Sequence, residues 1–141
     1  MALKITGYIL YVMLFTYCYY FLNRKMSNKW ILIMYPLIFV AAIYPIKIWF
    51  GAVRPVYGNA FSESWLKIIL MSLAGFTLFN FFYGVINLMV DAQVGFHKSY
   101  GRPDLNPVRY VIDRQSIIKK GFHLFFYTGG ILLIGICFLK Y

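Results

Sequence analysis

The chain has 141 residues, of which 62% are apolar and only 13% charged, with 21% aromatic and a formal net charge of +10. A soluble globular domain carries nearer a quarter of charged residues, so this composition excludes an ordinary water-soluble domain and suits a lipid solvent. The excess of base does not point to nucleic acid. Lys and Arg cluster at the ends of apolar runs, where they meet anionic headgroups and set orientation, so no nucleic-acid partner is expected.

The first apolar run, Ile5–Leu22, is long enough to span at about 1.5 Å per residue. It ends in Tyr17-Cys-Tyr-Tyr20 and the basic turn Arg24, Lys25, Lys29, without a small-residue cleavage site, and so reads as a retained anchor. Trp30 opens the second run, to Phe50. Pro36 and Pro45 each remove a helix hydrogen bond and predict kinks near Tyr35 and Tyr44. Residues 51–64 are rich in Gly, Pro and Ser and read as a connector, with Ser62 or Ser64 capping the next helix.

The third run, Leu66–Val90, places Ser72, Asn80, Gly84, Asn87 and Asp91 on one face. Lipid does not tolerate two amides, so this face should look inward, at hydrogen bonds in a helix seam or at water. The fourth run, Gly121–Leu139, carries His123, Thr128, Gly129, Gly130 and Gly135, and its small residues let a neighbouring helix approach. Cys18 and Cys137 lie inside apolar runs and read as buried small hydrophobes.

Between the last two runs, 91–120 holds three of the four acids and six of the fourteen bases. Asn106-Pro107 is a helix start. Val108, Val111, Ile112, Gln115 and Ile118 then form a stripe opposite Arg109, Asp113, Arg114 and Lys120, predicting a short amphipathic helix on the membrane surface. Before it, 95–104 reads as a polar loop. With four spans, nine Lys and Arg fall on the side of 91–120 and five on the other. The positive-inside rule puts that loop in the cytoplasm or matrix and both termini outside, in a bacterial or organellar inner membrane.

One short motif resembles a known family. Lys47 is followed after six residues by Arg54-Pro55, similar to the first motif of the type 2 phosphatidic acid phosphatases, whose cations hold the substrate phosphate. The resemblance implies a phosphate contact at Lys47 and Arg54. It covers nine residues, and where that family continues Pro-Ser-Gly-His this chain has Phe61-Ser-Glu-Ser64. No active phosphatase is therefore expected.

The expected fold is all-α, a polytopic bundle of four transmembrane helices with a short amphipathic surface helix before the last. No catalytic residue, metal or cofactor is assigned, since Asp91, His97, Asp104 and His123 have no ligand spacing. Contacts to partner or lipid are expected at Asn80, Asn87, Asp91, His97, Arg102, Arg109 and Arg114. The leading function is a non-enzymatic membrane subunit that packs against other membrane proteins. An immunity-type protein against a pore-forming toxin, similar in size and texture only, comes next, followed by a small transporter, channel or lipid-phosphate-binding protein.

Overall fold

The computed structural model describes residues 2–100 and 108–141, and every element in it is helical. Four helices are long and apolar enough to cross a membrane: α1 (Ala2–Lys25), α2 (Asn28–Tyr57), α3 (Asn59–Ser99) and α5 (Gln115–Lys140). A six-residue helix, α4 (Val108–Asp113), precedes the last.

The helices overrun the apolar runs at every end, because an apolar run marks what lipid accepts and not where helical backbone stops. Residues 51–64 are the clearest correction. No connector of that length exists; α2 continues through Arg54 and Pro55 to Tyr57, and α3 starts at Asn59. The turn is Gly58 alone, at φ 81° and ψ 169°, a region open to glycine and closed to other residues. Ser62 does not cap. It lies inside α3 with its hydroxyl donating to the Gly58 carbonyl at 2.7 Å. The cap that does form is Ser27, whose Oγ accepts the Trp30 N–H at the start of α2.

At the other end, α3 runs on to Ser99, so Gly95–Ser99 is helix and not loop. The short helix expected before the last span also changes shape. Helical geometry covers Val108–Asp113, breaks at Arg114 (φ −105°, ψ 16°), and resumes as α5 from Gln115, so Gln115–Lys120 extends the last long helix. The expected start at Asn106-Pro107 lies outside the described residues.

α3 is the hub. It packs along α2 on one side and α5 on another, while α1 lies against α5 and touches α3 near its own end. Glycines set two of these distances. A Cβ at Gly84 would lie 3.0 Å from Ile31 Cγ2, and one at Gly75 only 2.6 Å from Ile134 Cδ1, so both seams depend on missing side chains. The core is aromatic: Phe15, Tyr19, Tyr35 and Tyr83 are buried together. Phe15 stacks on Tyr127 and meets Phe76 and Phe79 edge-on, geometries that ring quadrupoles favour. Cys18 and Cys137 are both buried and free.

Candidate functional site

The polar side chains that could do more than pack gather where the α1–α2 turn meets α3 and the start of α5. A π-helical stretch over Tyr17–Leu22 prepares this region. Such a turn widens the helix and shifts the facing of the residues beyond it. It precedes Asn23, which sits beside Arg24 and Lys25 in sequence yet is 2% exposed.

Asn23 is the centre of a closed network. Its Nδ2 donates to Asn80 Oδ1 at 2.7 Å, and its Oδ1 accepts from Tyr35 Oη at 2.6 Å. Asn80 Nδ2 in turn donates to the Phe76 carbonyl at 2.8 Å. Three helices are joined through groups that are nearly inaccessible, as an apolar surround requires of buried amides.

Two turns along α3, Asn87 forms a second tier. Its Nδ2 donates to Asn28 Oδ1 at 3.3 Å, and its Oδ1 accepts from His123 Nε2 at 3.1 Å. That bond puts the proton of a neutral imidazole on Nε2. Tyr19 donates its hydroxyl to the His123 carbonyl at 3.1 Å, and the Tyr83 ring stacks on the imidazole with centroids 4.2 Å apart.

The third tier is Asp91, one turn further. Its Oδ1 accepts from Gln115 Nε2 and Lys119 Nζ, both at 2.6 Å. Between the second and third tiers lies an open cleft of about 350 Å³. Tyr83, Asn87 and His123 form its floor. Gln115, Ser116, Lys119 and Lys120 form its rim.

The residues singled out from sequence fare differently. Asn80, Asn87 and Asp91 come together as one ladder on α3. His97 sits in the last turn of α3, edge-on to Phe96. Arg102 lies outside the described residues. Arg109 pairs with Asp113 at 3.7 Å, both well exposed, and Arg114 lies over the Tyr110 ring at 4.5 Å. Lys47 and Arg54 lie on α2, towards the end remote from the cleft. Arg54 Nε donates to Asn59 Oδ1 at 2.7 Å across the Gly58 turn. Sequence reasoning misses Asn23, which looks like part of a solvated basic turn, and Tyr19, hidden in an aromatic run. It also leaves His123 among the packing residues of the last run; the amides of α3 are the only signal that polar partners have to come from other helices.

Comparison with family models, curated proteins and solved structures finds no match for this chain.

Proposed function

We propose that the protein is a non-enzymatic integral membrane subunit whose α2–α3 face packs against a helix of another membrane protein. One observation carries the reading. Over thirty residues α2 buries only Ile31 and Tyr35, both near its start, and beyond them Pro36, Phe39, Val40, Ala74, Leu78 and Phe81 line a groove of about 400 Å³. Lipid tails offer no hydrophobic drive for helix association, so contact there depends on shape and close approach. A groove beside a proline and an alanine supplies both. The amides of α3 are already committed inside the bundle, so this seam is one of shape and not of polar pairing.

A transporter or channel is the second reading, motivated by the alignment of Asn80, Asn87 and Asp91. Each of these side chains spends its hydrogen bonds on a neighbouring helix or on the backbone, which favours the packing role. An immunity-type protein would use the same lateral surface, since blocking a pore-former in the bilayer is itself helix packing.

The test is site-specific cross-linking in native membranes, with Val40→Cys in a chain carrying Cys18→Ala and Cys137→Ala. A discrete larger adduct is expected from Val40→Cys and not from Ile9→Cys on α1. A monomer alone from both positions would sink the proposal.

A further inference from the structure

We infer that the cleft between α3 and the first turns of α5 is a binding site for the phosphate of an anionic lipid headgroup. The inference rests on the membrane reading of the four long helices and is independent of the α2–α3 groove. Size comes first: about 350 Å³ falls at the lower end of small-molecule sites, enough for a headgroup and too little for a folded partner.

Donor chemistry comes second. The rim offers two ammonium groups, an amide and a hydroxyl. Lys119 and Gln115 are not left to wander, because Asp91 Oδ1 accepts from both at 2.6 Å and holds them over the cleft. An ammonium has three hydrogens, so after the Asp91 bond Lys119 keeps two. Lys120, Ser116 and the second Gln115 hydrogen add more. Among the described residues Asp91 is the one carboxylate bonded at this rim, so the cleft is net positive. Arg24 and Lys25 close α1 and Lys29 lies in the first turn of α2, at the end that Asn28 joins to Asn87, and they add to the same field.

Position comes third and selects a lipid over a soluble anion. The rim shares the first turns of α5 with exposed apolar side chains on the other faces of the helix: Ile117, Phe122 and Phe125 are 62%, 50% and 74% exposed within a turn or two of Lys120. In a membrane-spanning helix, cations on the same turns as exposed apolar side chains sit at headgroup depth, where anionic leaflets attract them.

The test uses the full chain in mild detergent, with thermal unfolding followed during titration with phosphatidylglycerol, phosphatidylcholine or inorganic phosphate. The variants are Lys120→Gln, Ser116→Ala and a charge-matched control, Lys98→Gln. Phosphatidylglycerol is expected to raise the unfolding temperature where phosphatidylcholine does not. Lys120→Gln should weaken that response about fivefold, the loss due to one lysine at an anionic surface, with Ser116→Ala weakening it to a smaller extent. Lys98→Gln should stay within about twofold, and all three should unfold like the parent without lipid. Equal weakening by Lys98→Gln would mean diffuse attraction and overturn the site. So would an equal response to phosphatidylcholine, or saturation by inorganic phosphate at the same concentration. Failure of the chain to float with vesicles would instead remove the membrane reading underneath.

Discussion

At the scale of single residues, Asn23 governs most. It is an amide held between an amide on α3 and a phenol on α2, so neither partner can be lost without leaving it short of a hydrogen bond. Asn80→Leu strands the Asn23 amide and should cost about 1–2 kcal/mol, and Tyr35→Phe about 1 kcal/mol. Because both act on one side chain, the double variant should depart from additivity by roughly 0.5 kcal/mol or more. Unfolding in mixed micelles, followed by tryptophan fluorescence, reads all three. Strict additivity would mean that the two bonds do not share Asn23 as described. The alignment of Asn80 with Asn87 is visible in the sequence because a 3.6-residue period needs no partner to be computed. Asn23 is not visible in that way. Its burial depends on how α1 winds after Thr16, and no regular period survives a π turn.

Individual elements carry two further expectations. The π segment Tyr17–Leu22 holds one more residue than a regular helix would need between Phe15 and Asn23, both of which face inward. Deleting the exposed Phe21 should restore α-helical winding and keep both faces in place. Deleting Met13, in the regular part of α1, should rotate everything after it by about 100°. Thermal unfolding should therefore fall much further for the Met13 deletion than for the Phe21 deletion; equal losses would show that the π turn is not a removable insertion. Gly58 is the second case. Its φ of 81° with ψ of 169° suits glycine alone, so Gly58→Ala should cost about 1–3 kcal/mol. Gly121→Ala, where the new methyl meets nothing, should be neutral or stabilise by up to about 1 kcal/mol. The same glycine explains why 51–64 misleads as sequence. Gly51, Pro55 and Ser62 are turn signals in water, but helices in apolar surroundings tolerate glycine and proline, and here only Gly58 breaks the chain. The α4–α5 break at Arg114 is equally hidden, since an amphipathic stripe runs across it unaltered.

For the whole molecule, composition is sufficient to read four apolar helices, because 62% apolar residues leave few other ways to be satisfied. What composition cannot supply is the lateral arrangement, which rests on Gly75, Gly84 and the polar tiers. At 41 residues α3 is roughly 60 Å long, about twice the hydrocarbon thickness, so a membrane-spanning α3 would project beyond the apolar layer or tilt steeply. Its Asp91–Ser99 end lies with Arg24, Lys25, Lys29, Lys119 and Lys120, the strongly basic end of the bundle. If orientation follows charge, that end faces the cytoplasm or matrix and the Gly58 turn faces away. Two exposed positions test this: Tyr57 beside Gly58, and Tyr100, which is 83% exposed, beyond α3. In a chain with Cys18→Ala and Cys137→Ala, a membrane-impermeant thiol reagent should label Tyr57→Cys in intact cells and Tyr100→Cys only after lysis. The reverse pattern would keep the four spans and invert the orientation, moving the lysine cleft to the opposite leaflet. Labelling of both positions from outside is incompatible with α3 crossing the membrane at all, and would remove the basis for reading its amide ladder as a seam within lipid.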